Sequence, residues 1–270
     1  DVYKRQDQYK PRLLILNYPS NPHGGTYTPE ELMAIAKIAQ KHEMIILSDE
    51  IYGQLHHEGR HISIARFYPE RTIISSGLSK WCGAGGWRLG TFAFPSTLNW
   101  LMNSMAAVAS ETYTSVSAPI QYEAVRAFQV GIVIERYLCH VRRILSYIGK
   151  RGAEIFASAG IRVHRPEGAF YLFIDFSQYS DKLITQGVVD SNTLCEKLLH
   201  DTGVAILPGV SFQRPEEELT ARLAYVNFDG CKALAQSETI HLDEDLSEDF
   251  GDYCCIPVFD AIHKIVDWIK

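Results

Sequence analysis

Short apolar runs alternate with helical stripes through the first half of the chain. Leu13-Leu14-Ile15-Leu16 is followed by the turn-rich Asn17-Tyr18-Pro19-Ser20-Asn21-Pro22-His23-Gly24-Gly25. Thr28-Pro29-Glu30-Glu31 then predicts a helix start: Thr28 as N-cap, Pro29 at the first position and Glu31 closing a capping box. Leu32, Ile35, Ala36 and Ala39 continue as a stripe of helical period. Segments 44–47, 72–75 and 89–94 predict three further strands. Wholly apolar strands of this length, separated by a helix, predict a sheet covered on both faces, an α/β layer.

From 96 to about 159 the pattern is mostly helical, and Pro119 suits a helix start. The stretch 120–159 is long enough to leave one domain and enter the next. After Gly160 the pattern changes to strands at 161–163, 169–176 and 222–228, with helices at 191–201 and 259–269. This predicts a smaller α+β unit, with domains at 1–145 and 146–270. The acidic stretch 241–253 predicts a solvated loop. Its Asp249-Phe250-Gly251 matches the kinase magnesium tripeptide, but no other kinase signature accompanies it.

The 270 residues are 46% hydrophobic and 21% charged, enough for one large domain or two smaller ones. A net charge of -6 lacks the broad basic footprint of a nucleic-acid binder. No apolar run nears the roughly 20 residues that span a bilayer, and polar Asp1-Val2-Tyr3-Lys4-Arg5-Gln6 has no signal-peptide stretch. Neither nucleic acid nor membrane is therefore an expected partner. Cysteines at 82, 139, 195, 231, 254 and 255 show no CxxC spacing. They predict reduced, mostly buried thiols in a cytoplasmic protein, with no disulfide framework and no metal site.

The most informative segment runs Ser75-Ser76-Gly77-Leu78-Ser79-Lys80-Trp81-Cys82-Gly83-Ala84-Gly85-Gly86-Trp87-Arg88-Leu89-Gly90. A lysine follows a strand, and an arginine stands eight positions later among glycines. A GxGxxG reading fails, because Arg88 occupies the place of the third glycine. Ser48-Asp49-Glu50-Ile51-Tyr52 ends the second predicted strand, at the edge where α/β sheets bind ligands. Asn21 lies in the loop after the first. Three successive strand ends thus offer Asn21, Asp49 with Tyr52, and Lys80. The plain alternatives are a surface lysine, a turn-capping Asp49 and a core Tyr52.

Asn21-Pro22-His23-Gly24, Asp49-Glu50-Ile51-Tyr52, Ser79-Lys80 and Gly86-Trp87-Arg88-Leu89-Gly90 resemble the class I/II aminotransferases of the aspartate-aminotransferase superfamily in order, spacing and type. The resemblance implies the three-layer, mostly parallel major domain of the pyridoxal-phosphate-dependent transferases, here partial, plus a small C-terminal α+β domain. It implies that Lys80 forms the Schiff base with pyridoxal 5'-phosphate and shuttles the substrate proton. Asp49 would pair with the pyridine nitrogen, and the motif register favours it over Glu50. Tyr52 and Asn21 would donate to the phenolic oxygen. Ser79 and the planar fork of Arg88 would bind the phosphate.

In the smaller unit, Ala221-Arg222-Leu223-Ala224-Tyr225-Val226 resembles the family strand whose arginine grips the substrate carboxylate, so Arg222, with Asn21, is the expected substrate contact. The implied reaction moves an amino group from an L-amino acid to a 2-oxo acid, in a homodimer with shared active sites. A lyase or decarboxylase on the same scaffold is the alternative, and a ligand-sensing domain of a transcription regulator is another. His23 stands where the family's loop usually has threonine, and Gly77 where it often has serine. His23 reads as a loop residue, with a reach towards substrate as the alternative. The resemblance also leads one to expect a stretch before the first motif, carrying a glycine-rich phosphate turn. On that reading the chain is N-terminally truncated and folds incompletely or binds the cofactor weakly by itself. Residues 101–119 hold no Lys or Arg and only Glu111, which disfavours a second anion-binding residue there.

Overall fold

The structure, a computed structural model, describes residues 10–129 and 131–270. The opening Asp1 to Gln6 lies outside the described residues. The chain forms two compact units: residues 10–19 with Thr26–Leu138, and Ser20–Gly25 with Cys139–Lys270.

In the first unit, β1 (Leu13–Asn17), β2 (Ile45–Asp49) and β3 (Thr72–Gly77) pair in parallel, and β4 (Gly90–Ala93) adds an antiparallel edge. Helix α1 (Pro29–Lys41) begins at the expected capping box: Glu31 N donates to Thr28 Oγ1 at 3.2 Å, and Thr28 N to Glu31 Oε2 at 2.8 Å. Its Leu32, Ala36 and Ala39 pack with Leu16, Tyr18, Met44, Ile46, Ile64 and Tyr68. Each large apolar side chain so buried stabilises the fold by about 1.5–3 kcal/mol. Leu13 and Ile15 point to the opposite face of β1 and are 49% and 62% exposed. Helices α2 (Asn99–Thr112) and α3 (Ala118–Phe128) follow; α2 buries no residue and α3 only Ala124.

Helix α4 (Ile132–Ser158) carries the division between the units, at Leu138 and Cys139. The helical stretch expected from 120 is thus two helices, with α3 ending at Phe128. In the second unit, β5 (Arg162–Val163), β6 (Tyr171–Asp175), β7 (Leu207–Pro208) and β8 (Thr220–Ala224) form an antiparallel sheet in the order β5-β6-β8-β7. Around it are α5 (Ser180–Thr185), α6 (Ser191–Thr202), α7 (Gly230–Glu238), α8 (Glu248–Cys254) and α9 (Ile256–Ile269). Helix α9 buries Val258, Phe259, Ile262, Ile265, Val266 and Ile269, a stripe at helical spacing. Ser20–Gly25 joins this unit through Gly24 O, which accepts from Glu167 N at 2.9 Å and Gly168 N at 3.0 Å. Gly24 has φ +69, and a Cβ there would lie 2.7 Å from Gly168 O, so only glycine fits.

Three expectations need correction. The acidic 241–253 stretch is not all loop, because α8 forms where buried Phe250 packs edge-on against Tyr147 at 5.7 Å. The strand expected at 222–228 ends at Ala224, where Phe228 N turns back to Val226 O. All six cysteines are free, but only Cys195, Cys254 and Cys255 are buried, while Cys139 and Cys231 are exposed. Among the described residues, no helix is long and apolar enough to cross a membrane.

Candidate active site

The parallel strands of the first unit deliver side chains to one edge. Asn17 and Asp49 are register partners at the ends of β1 and β2, and Asp49 is opposite Ser75 of β3. Gly77 closes β3 opposite Gly90, and Leu78 N donates to Leu89 O at 3.3 Å. Ser79 and Lys80, just after β3, and Arg88, just before β4, therefore emerge at the same edge as Asp49. A Cβ on Gly77 would lie 2.7 Å from Leu89 O. The strand crossing itself thus requires glycine where a serine hydroxyl was expected.

Lys80 places its Nζ 5.8 Å from the ring centroid of buried Tyr52, within cation–π range. Arg88 is the left-handed cap (φ 55, ψ 42) of the short 3-10 helix Gly85–Trp87, and its Nη1 donates to Gly85 O at 2.9 Å. A non-glycine residue in that conformation costs about 1–2 kcal/mol. The surrounding loop is open, since a Cβ on Gly83 or Gly86 would meet nothing within 4 Å.

The adjacent acids Asp49 and Glu50 differ sharply. Asp49 Oδ2 accepts from Asn17 Nδ2 at 3.0 Å, and burial pushes its carboxyl up from the ordinary value. Glu50 accepts from Ser48 Oγ at 2.8 Å, Ser63 Oγ at 2.5 Å and His61 Nε2 at 2.8 Å. Burial opposes its ionisation too, but these hydrogen bonds and the nearby His61 together hold it below the ordinary glutamate value. Local spacing gave no sign of His61 and Ser63, which arrive from a loop eleven and thirteen residues on. Asn17 was discoverable, as the last residue of the neighbouring parallel strand.

In the second unit, Arg222 lies on β8 opposite Phe173 of β6. Its guanidinium sits 4.7 Å from the Tyr171 ring and 4.9 Å from the Phe212 ring, and Nη1 donates to Asn21 Oδ1 at 2.8 Å. Arg222 Nε is buried without a hydrogen-bond partner among the described residues, so this guanidinium has donor capacity to spare. His23 and His164 meet edge-on at 5.9 Å, and Gly25 N donates to His23 Nδ1 at 3.0 Å. Burial, with help from His164, lowers the His23 pKa and favours neutral imidazole. Both histidines line a pocket of about 820 Å³ that also includes Phe173, Phe212 and Thr220. The expected site residues thus fall into two groups: Asp49, Tyr52, Ser79, Lys80 and Arg88 in the first unit, and Asn21 with Arg222 in the second.

A family model described as aminotransferase class I and II matches residues 1–236. The aspartate aminotransferase of Bacillus sp. strain YM-2 is 35% identical over 222 residues, covering 80% of this chain and 53% of that protein. The asparagine–oxo-acid transaminase of Streptococcus mutans is 31% identical over 230 residues, with the same coverage. Among solved structures, aspartate aminotransferase from Thermus thermophilus with maleate superposes with a TM-score of 0.74 at 26% identity, over 96% of this chain and 57% of that one. The aromatic aminotransferase from Pyrococcus horikoshii gives 0.76 at 25% identity, over 99% and 63%. The chain spans about half the length of the curated relatives it matches. Each of these relatives is named as an aminotransferase or transaminase, which disfavours the lyase, decarboxylase and regulator readings.

Proposed function

Because this chain belongs to the class I and II aminotransferase family, whose members depend on pyridoxal phosphate, we propose that it carries out amino transfer from an L-amino acid to a 2-oxo acid. The donor set at the strand-end edge fits the cofactor: an amine for the aldehyde, a guanidinium and a hydroxyl for the phosphate, a phenol for the ring oxygen and a carboxylate for the ring nitrogen. When bound, the cofactor supplies an electron sink for the bond broken at the substrate α-carbon.

Lys80 would hold the cofactor through its aldehyde. Its free amine would take the proton from the substrate α-carbon and deliver it to the cofactor C4′, on the other side of the nitrogen that joins them. Asp49 would keep a proton on the pyridine nitrogen through a charge-assisted hydrogen bond worth about 1.5–3 kcal/mol. Tyr52 would donate to the phenolic oxygen, and Asn21 is the further donor that the family resemblance implies. Ser79 and Arg88 would hold the phosphate, for which the planar Arg88 fork is suited. Arg222 grips the substrate carboxylate. Its stacking on Tyr171 and Phe212 fixes the plane of the fork before substrate arrives, which reduces the entropy lost on binding. The working form is a cytoplasmic homodimer with shared active sites.

The observation that carries this reading is Lys80, three residues past the end of β3, over the buried Tyr52 ring and at the edge that Asp49 shares. The test is a half-reaction with the full chain. Amino acid alone should convert bound cofactor to pyridoxamine phosphate and release one equivalent of 2-oxo acid. Borohydride reduction beforehand should fix the label on the Lys80 peptide. Carbon dioxide or an elimination product in place of the oxo acid would reject amino transfer.

A further inference from the structure

Asp49 and Glu50 are consecutive carboxylates at the end of β2, and a single pyridine nitrogen needs only one of them. We infer that His61 and Ser63 are positioning residues that lock Glu50 into the first unit, so that Asp49 alone is presented to the cofactor ring. The inference rests on the cofactor role proposed above for Asp49.

The lock has a defined geometry. Glu50 Oε1 accepts from Ser48 Oγ and Ser63 Oγ, and Oε2 accepts from His61 Nε2. A carboxylate offers about four acceptor sites, and these three donors leave little with which to engage a ligand. Asp49, by contrast, has one side-chain donor among the described residues, Asn17, and a long 3.4 Å contact from Ile51 N. Glu50 Oε2 can only accept here, so His61 Nε2 carries the hydrogen.

The lock is itself anchored. Ser63 caps the short 3-10 helix Ile64–Arg66 by accepting from Ala65 N at 3.2 Å. Ile64 N donates to the buried Tyr18 hydroxyl at 2.7 Å, and the Tyr18 ring lies 5.2 Å from the His61 ring. Gly53 makes room for the imidazole, since a Cβ there would lie 2.8 Å from His61 Cδ2. The turn that carries Asp49, Glu50 and Tyr52 is therefore shaped around His61. His61 Nδ1 is buried with no hydrogen-bond partner among the described residues. The ring accepts an unsatisfied nitrogen in order to serve Glu50, which a merely space-filling side chain at this position would not require.

The test uses the full chain loaded with pyridoxal phosphate labelled with nitrogen-15 in the ring. In His61→Leu the ring-nitrogen resonance should move towards the unprotonated position. The turnover number should fall about tenfold, as orienting partners typically contribute, with KM for the amino donor changed less than about twofold. His61→Gln, which can still offer an N–H to Glu50, should restore the resonance and most of the rate. Ser63→Ala should shift the resonance in the same direction by less, and it carries the test if His61→Leu does not fold. A wild-type resonance in His61→Leu, or in Ser63→Ala if that variant stands alone, would overturn the inference, as would a Gln variant no better than Leu. Asp49→Asn separates the two levels. If it moves the resonance and the lock variants do not, only the lock is wrong. If it leaves the resonance unmoved, the cofactor role of Asp49 fails first.

Discussion

Ile262 in α9 is fully buried, whereas Val108 in α2 is 64% exposed, although both helices are rich in apolar residues. Helix α9 concentrates its apolar side chains in a stripe against the second unit. Helix α2 presents Trp100, Met102, Met105 and Val108 to solvent, and the neighbouring α3 adds Tyr122 and Val125. The site residues show a parallel contrast. In the second unit Arg222 is already held between two rings and Asn21, whereas in the first Arg88 stands in an open glycine loop in a strained conformation. Apolar composition is enough to form a helix, but burial depends on which surfaces are available to receive it. The same holds for a binding residue, whose readiness is set by its neighbours within the unit.

Substitutions can sharpen or break this contrast. The largest effect is expected at Ile262→Ala, which should cost about 2–5 kcal/mol in urea unfolding, because it opens a cavity in a fully buried stripe. Arg222→Lys keeps the charge but loses the planar fork. KM for the amino acid should rise about ten- to hundredfold, the worth of one charge-assisted hydrogen bond, in steady-state kinetics of the cofactor-loaded full chain. Arg88→Gly should move two quantities in opposite directions. The left-handed backbone becomes unstrained, raising stability by up to about 1 kcal/mol. Cofactor affinity measured by equilibrium dialysis should weaken about tenfold, as the phosphate loses its guanidinium. The smallest effect is expected at Val108→Ser, within about 0.5 kcal/mol by the same unfolding assay. A large loss there would mean that α2 is covered in solution, and the contrast between the units would dissolve.

Much of this was legible in the sequence. The α1 capping box is a local signal, and local signals survive into structure. The lysine, the aspartate and the tyrosine were legible because parallel strands end at a common edge, so short motifs after successive strands converge. Helix α8 was not legible. Its acids read as solvated, and the burial of Phe250 depends on Tyr147, roughly a hundred residues earlier in the chain. The Glu50 lock was hidden for a similar reason: His61 and Ser63 show no periodicity that would direct them back to the strand end. Sequence showed that two acids stood side by side, but hydrogen-bond partners were needed to tell them apart.

The hexapeptide Ser20–Gly25 has a practical consequence for anyone dissecting this molecule. The chain passes between units after Pro19, after Gly25 and within α4. A cut in α4 alone would therefore liberate no intact module. A fragment beginning at Cys139 would leave the amides of Glu167 and Gly168 without their acceptor, and it would strip Arg222 of Asn21. Swapping the second unit with that of a relative would have to exchange both stretches together, as one graft.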